Sequence, residues 1–480
     1  MSKDYETIIG LEIHAELSTE SKAFCGCGYH FGSEVNTECC PVCIGLPGAL
    51  PVLSKKVVDY ALKIGLAAGC TINKQSSFFR KNYFYPDLPH GYQITQADLP
   101  ICEGGKIEFY HQGEKRSVRL IRIHLEEDTA KLVHDDSFEG TLLDFNRCGV
   151  PLIEIVSEPD LRSPEEVKDY LDAVRMLLGT LDICNTQMQE GTIRCDVNVS
   201  VRPVGQEAFG TRVEMKNVST FSGAMQAVAY ESARQIKLLE EGKTFAQETR
   251  RWDENKGESH PMRLKETAAD YRYFPEADLT PLVVDDEWIE GVKKNLPELP
   301  VPKYERYLER GIGKAEAKML LEFPDRAAFF ESAATGTVSS NKNLKNLANW
   351  IFGPVSAISK KTAVAFEDSK LKPGDLCDIL TMVEQKRINI DAGRLVMEEI
   401  FTSGGTAEEV VKKLSLEQVS DEGALKQLVS EVLAANEKSI EDYRNGKKNA
   451  FTFLVGQCMK ASKGKGNPQV VNELLKAALD

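Results

Sequence analysis

The periodicity of the chain changes once, and that change restricts its folding more than any other feature. Up to about residue 294 apolar residues recur at every second position. Beyond the segment Leu296-Pro297-Glu298-Leu299-Pro300-Val301-Pro302 they recur at helical spacing. Between residues 7 and 17, Ile9, Leu11, Ile13, Ala15 and Leu17 point one way, and Gly10, Glu12, His14 and Glu16 the other. Over 193–201, Ile193, Cys195, Val197, Val199 and Val201 alternate with Arg194, Asp196, Asn198 and Ser200. Val213 and Met215 repeat the pattern against Arg212, Glu214 and Lys216, and 118–127 is a further strand candidate running into Glu126-Glu127-Asp128. Strands with one wet face predict a mainly antiparallel sheet with helices on its dry face. One such helix is opened by Ser163 as N-cap, Pro164 in the first turn and Glu166 completing a capping box. Its apolar stripe is Val167, Tyr170, Leu171, Val174, Leu177 and Leu178. A second spans about 222–241 and stops at Gly242.

The fold class is therefore α+β and multidomain. At 480 residues the chain is long for one domain, since ~100–200 residues per domain is usual. Three prolines in the 297–302 segment predict a stiff, extended linker. Near 402–406, Gly404 and Gly405 end one helix and Thr406 caps the next. The expected domains are a sheet domain over 1–294, a helical domain over 295–404 and a helical tail over 405–480. No apolar run is long enough to span a membrane, and the N-terminus lacks the apolar core of a signal peptide, so a cytoplasmic protein is expected.

Five of the twelve cysteines crowd into 25–43 as Cys25, Cys27, Cys39, Cys40 and Cys43. A Cys-x-Cys pair followed by Cys-x-x-Cys suits a closed tetrahedral zinc site from Cys25, Cys27, Cys40 and Cys43, with Cys39 spare. A patch of reduced thiols is the alternative. Cys70, Cys102, Cys148, Cys184, Cys195, Cys377 and Cys458 stand apart and read as small buried hydrophobes.

Glu154 lies inside the apolar run Leu152-Ile153-Glu154-Ile155-Val156, and a carboxylate in such a run needs a partner or a cation. With His14 between Glu12 and Glu16, it suggests one or two hard divalent ions such as Mg²⁺ on the sheet, and hence nucleotide chemistry. Neither of the common glycine-rich phosphate loops is present. Two further patches, Lys81-Asn82-Tyr83-Phe84-Tyr85-Pro86-Asp87 and Asp270-Tyr271-Arg272-Tyr273-Phe274-Pro275-Glu276, interleave aromatic and charged residues. They suit base stacking and core packing equally.

Four segments together resemble one family. Glu12-Ile13-His14, Arg80 through Asp87, Asp144-Phe145-Asn146-Arg147-Cys148-Gly149-Val150-Pro151-Leu152-Ile153-Glu154 and Arg194-Cys195-Asp196-Val197-Asn198 are similar to the GatB/GatE family, the B subunits of tRNA-dependent aspartyl/glutamyl amidotransferases. The tail residues Phe451, Leu454, Val455, Gly456, Gln457, Met459 and Lys460 resemble the same family's YqeY-like C-terminal domain. The resemblance implies an N-terminal cradle distantly like glutamine synthetase, followed by helical and tail domains. It also implies a heterotrimer with an amidase-type glutaminase subunit (GatA) and a small subunit (GatC). In such a complex ATP phosphorylates the side-chain carboxylate of misacylated Glu-tRNA(Gln) or Asp-tRNA(Asn), and ammonia from glutamine displaces the phosphate. By motif match, His14, Glu127 and Glu154 hold the first Mg²⁺. Glu12, Glu126 and Asp196 serve a second ion or handle ammonium and its proton, and Lys81 and Arg194 neutralise phosphate oxygens. A cross-strand ion pair with Glu214 is the plainer reading of Arg194. The resemblance also makes Cys25, Cys27, Cys40 and Cys43 a structural zinc site.

A net charge of −14 argues against a broad nucleic-acid surface, but its distribution is uneven. Residues 443–480 carry seven basic side chains and two acidic ones. A basic tail on an acidic body can grip a tRNA backbone locally, with Lys447, Lys448, Lys460, Lys463 and Lys465 as the candidate contacts.

Overall fold

The computed structural model describes residues 4–134, 139–186, 192–264, 270–335, 341–417, 422–444, 447–462 and 468–479. The chain forms two compact units, Met1–Lys303 and Tyr304–Asp480.

The first unit is built on a 13-stranded sheet. Nine of its strands matter here: β1 (Tyr5–Glu16), β2 (Phe79–Asn82), β3 (Tyr92–Thr95), β4 (Glu114–Glu127), β5 (Pro151–Ser157), β6 (Ile193–Pro203), β7 (Val213–Val218), β8 (Glu248–Asp253) and β9 (Glu258–Leu264). They lie in the order β9-β8-β7-β6-β1-β5-β4-β3-β2. Every neighbouring pair among them is antiparallel except β7 and β8. A helix joins those two, as a parallel crossover requires. The expected alternation holds along β1: Ile9, Leu11, Ile13 and Ala15 are at most 1% exposed, while Glu12, His14 and Glu16 are half-buried.

Three helices cover the dry face: α1 (Lys55–Ala67), α2 (Pro164–Thr180) and α3 (Phe221–Glu240). The α2 stripe is buried throughout, and Ser163 Oγ accepts the Glu166 N–H at 3.1 Å. The far side of the predicted capping box differs, because Glu166 accepts from Arg162 N (2.8 Å) and Arg116 (3.1 Å). The α3 helix is capped by Thr220, and Gly242 follows its end with φ +70°.

The proline segment departs from expectation. Only 296–299 are non-helical, and Pro300 opens the helix Pro300–Glu309. A residue without an N–H fits the first turn of a helix, where that donor has no partner anyway. Leu296 and Leu299 pack on the first core, so this stretch is anchored rather than free.

Among the described residues, the regular elements of the second unit are all helices. One core gathers Tyr307, Phe330, Leu347, Ile379, Val396 and Ile400. Val410 and Val411, from the helix Ala407–Lys413 capped by Thr406, join it. A smaller core unites Leu425, Val429, Leu454, Cys458, Val471 and Leu475. Among the described residues no helix is long and apolar enough to cross a membrane.

Candidate active site

Strand register builds the site. On β1 His14 lies opposite Glu154 of β5 on one side and Arg194 of β6 on the other. Glu154 in turn lies opposite His124 of β4. Side chains directly opposite in adjacent strands share a face, so an imidazole, a carboxylate and a second imidazole stand in one row. His14 Nε2 is 3.5 Å from Glu154 Oε2 and 3.5 Å from Glu126 Oε1, and His124 Nε2 is 3.2 Å from Glu154 Oε2. Burial opposes charge on His14, but Glu154, Glu126 and Asp196 outweigh it and raise the imidazole to about 9. Burial would likewise lift Glu154, and the two histidines hold it well below the usual carboxylate range.

The sheet's pleat separates two adjacent glutamates. Glu126 has the parity of His124 and joins His14 and Glu154, with ligand atoms of all three within 4.8 Å of one another. Glu127 has the opposite parity. It belongs to none of the ligand clusters found among the described residues. Its Oε1 accepts the Ile94 N–H at 3.0 Å, burial pushes it up to about 8, and it lines a 210 Å³ cavity with Cys25, Cys43, His90, Tyr92 and Asp278. The His14 cluster thus gathers His14, Glu126 and Glu154 rather than His14, Glu127 and Glu154. Two carboxylates and an imidazole leave positions open for water or phosphate oxygens, a donor set that fits a divalent ion.

A second acidic cluster lies beside the first. Glu12, opposite Asp196 in register, approaches Asp196 and Glu214 within 4.8 Å. Lys216 is inserted here, its Nζ 2.8 Å from Asp196 and 3.1 Å from Glu214. Asn198 donates to Glu12 at 3.0 Å. Burial, and then the charges of Glu154, Glu214 and Asp196, raise Glu12 above its ordinary value. This trio already holds one cation as a lysine ammonium.

Arg194 pairs not with Glu214 but with Asp128, 2.7 Å away, and Arg147 approaches the same carboxylate at 3.6 Å. The two aromatic patches meet: Phe274 pairs with Arg80 across strands, and Asn82 donates to the Arg272 carbonyl at 2.8 Å. Lys81 Nζ sits 5.0 Å from the Tyr271 ring centre, and Tyr83 packs edge-on against Tyr271 at 6.1 Å. Phe84, Tyr85, Tyr273 and Phe274 are exposed, so these four do not pack in the core.

The sulfurs of Cys25, Cys27, Cys40 and Cys43 lie within 4.8 Å of one another. Cys40 and Cys43 are 3.8 Å apart, and tetrahedral bonds to zinc put sulfurs roughly 3.8 Å apart. Cys43 is held down to about 4, first by the Cys25 hydrogen bond and then by the Cys40 N–H and the Lys22 ammonium. The donor set fits a zinc ion. Cys39 stays outside it, 3.3 Å from the Asn36 carbonyl. Cys148, apart from these cysteines in sequence, is buried as expected and packs in the same cluster as Cys43.

In the tail, Lys447 pairs with Asp442 at 2.9 Å and Lys460 is exposed. Lys448 begins the helix Lys448–Ala461. Its side chain, like Lys463 and Lys465, lies outside the described residues.

Sequence reasoning missed His124, Lys216 and Asp128 as partners. Parity along β4 was the available signal for His124, because it is two residues from Glu126. No local signal could pair Arg194 with Asp128, which are 66 positions apart.

Comparison with known proteins identifies the family of the chain. The profile described as the GatB/GatE catalytic domain matches residues 7–290, and one described as a GatB domain matches 328–479. The B subunit of aspartyl/glutamyl-tRNA(Asn/Gln) amidotransferase from Caldicellulosiruptor bescii is 49% identical over 481 residues, 99% of each chain. The proteins of the same name from Thermoanaerobacter sp. and Clostridium botulinum are 49% and 46% identical over 99% and 98% of each chain. With both profiles matched and full-length relatives at this identity, the chain belongs to the GatB family of amidotransferase B subunits.

Proposed function

We propose that the chain carries the synthetic half of tRNA-dependent amidation, converting Glu-tRNA(Gln), Asp-tRNA(Asn) or both to the amides. A side-chain carboxylate is an anion with no leaving group, so ammonia does not displace its oxygen directly. Transfer of the ATP γ-phosphoryl group to that oxygen gives an acyl phosphate and ADP. Ammonia then adds to the carbonyl, phosphate leaves with the C–O electron pair, and a proton passes to a base. The observation that carries this reading is the His14, Glu126 and Glu154 cluster beside the lysine-held Glu12, Asp196 and Glu214 trio on one sheet face.

Mg²⁺ bound at the first cluster would neutralise phosphate charge during transfer. His14, Glu126 and Glu154 would hold that ion, and Glu127, expected there from the motif, would shape the neighbouring cavity instead. Glu12, which accepts from Asn198, and Asp196, which pairs with Lys216, would attract ammonium and take its proton. Lys81, with an aromatic ring beside it, and Arg194, balanced by Asp128, would face phosphate oxygens. The cysteine cluster would carry structural zinc. The three-domain division at 294 and 404, the cradle's distant likeness to glutamine synthetase, and a YqeY-like tail that grips tRNA belong to the same reading. So do the GatA and GatC partners and a cytoplasmic location.

Reconstitution with a glutaminase and a small partner subunit tests this. Each misacylated tRNA is supplied with glutamine, and amide formation is followed with and without ATP. ATP-dependent Gln-tRNA or Asn-tRNA is the expected product. Amidation that proceeds equally without ATP, or that accepts free glutamate without tRNA, would overturn it.

A further inference from the structure

Lys22 is buried as no other lysine in the described chain is, at 1% exposure. A buried ammonium costs several kcal/mol unless an anion and hydrogen bonds compensate it. Among the described residues no carboxylate pairs with Lys22. Glu38, whose backbone lies beside Nζ, turns its carboxylate to His30 instead, 2.7 Å from the His30 N–H. Lys22 Nζ donates to the Glu38 backbone carbonyl at 2.7 Å and lies 3.7 Å from Cys43 Sγ. Among the described residues the counter-charge nearest Nζ is therefore anionic sulfur at Cys43. Four thiolates around a divalent zinc form a dianion, which supplies the missing counter-charge.

The backbone around Lys22 ties the cysteine cluster to the catalytic edge. Lys22 N donates to the Cys27 carbonyl, and Ala23 N donates to the Gly149 carbonyl, each at 2.8 Å. Gly149 has φ +79°, a conformation that strains any residue with a side chain. Its turn touches all three parts of the region: a Cβ added there would stand 3.5 Å from Cys43 Cβ, 3.7 Å from Lys22 Cδ and 3.8 Å from Glu127 Oε2.

We infer that Lys22 is the internal counter-ion of the tetrathiolate metal site, a positioning residue that holds the metal-bound loop against the Gly149 turn and the Glu127 cavity. The inference rests on the zinc reading above.

The test uses the full chain and keeps the two readings separable. Zinc content of the unaltered protein comes first, and less than about half an equivalent, with free thiols, would overturn the zinc reading itself. With zinc present, a chromogenic chelator measures affinity in the unaltered protein, Lys22→Arg and Lys22→Met. Loss of an outer-shell partner typically costs 10–100-fold in metal affinity, so Lys22→Met is expected to bind zinc roughly 10–100-fold more weakly. Lys22→Arg, which keeps the charge, should stay close to the unaltered protein. Equal zinc affinity in Lys22→Met and the unaltered protein overturns the counter-ion role.

An amine-acetylation footprint of the unaltered protein serves if Lys22→Met fails to fold. Lys22 should be protected with zinc bound and labelled once zinc is removed. Unchanged labelling of Lys22 across that step overturns the inference.

Discussion

Glu154 of β5 lies between two imidazoles, 3.5 Å from His14 Nε2 on one flanking strand and 3.2 Å from His124 Nε2 on the other. Its neighbours Ile153 and Ile155 are fully buried on the opposite face. One strand therefore contributes to the core and to the site at alternate positions, and the rigid sheet fixes the spacing of the polar row. Among the described residues His124 Nδ1, which is buried, has no hydrogen-bond partner, so the row carries polar capacity that these residues do not use.

Glu154→Gln keeps the shape of the side chain and removes its charge. In the reconstituted complex it is expected to lower ATP-dependent amidation by at least about 10²-fold, the scale found when a single electrostatic group is removed from such a site. Glutamine hydrolysis by the partner subunit should persist. Separate assays of glutamate release and of amidated tRNA distinguish the outcomes, and retained amidation would remove Glu154 from the chemistry.

Glu126→Gln and Glu127→Gln separate the roles of two adjacent carboxylates that only the pleat tells apart. The pleat predicts that Glu126→Gln weakens Mn²⁺ binding, measured by titration calorimetry. Glu127→Gln should leave Mn²⁺ affinity nearly unchanged, because its carboxylate faces the cavity beside Cys43. The reverse pattern would return Glu127 to the metal.

Much of this architecture was legible because alternation is a local property. Residues 7–17, 118–127 and 193–201 revealed their wet and dry faces, and Ser163 and Thr406 announced their helices. Register was not legible: which polar rows stand opposite one another depends on strand order, and β4, β5, β1 and β6 are far apart in sequence. For the same reason the pairing of Arg194 with Asp128 and the meeting of the Lys81 and Tyr271 patches had to come from the fold. The proline segment misled because proline both stiffens extended chain and starts helices, and composition does not choose between them.

Lys216→Met removes the cation from the Glu12, Asp196 and Glu214 trio and leaves three carboxylates facing one another. Such a cluster is expected to recruit a divalent ion in place of the ammonium. Calorimetric titration with Mn²⁺ should show one more site than the unaltered protein. Thermal stability of the variant should fall in chelator and recover with Mn²⁺. A variant as stable as the unaltered protein in chelator, with no added site, would show that Lys216 is dispensable to the cluster.

Ser163→Ala tests the fold away from the site. Its hydroxyl satisfies the Glu166 N–H at the start of α2, and loss of such a cap costs ~1 kcal/mol. The urea midpoint should fall by a corresponding amount with an unchanged slope, and amidation by the folded protein should be unaffected.

The basic tail needs point substitutions rather than truncation. Leu454, Cys458, Val471 and Leu475 share a core with Leu425 and Val429, so removing 443–480 would bare apolar surface and confound loss of charge with loss of fold. Lys460 is exposed on the helix Lys448–Ala461. If it contacts a tRNA phosphate, Lys460→Ala is expected to weaken tRNA binding and to reduce the slope of log affinity against log salt by about one. Lys447 is already paired with Asp442 at 2.9 Å, so Lys447→Ala should change that slope less. Filter binding of one misacylated tRNA across a salt series reads both variants. Slopes identical to the unaltered protein in each would move the tRNA contact away from these two lysines.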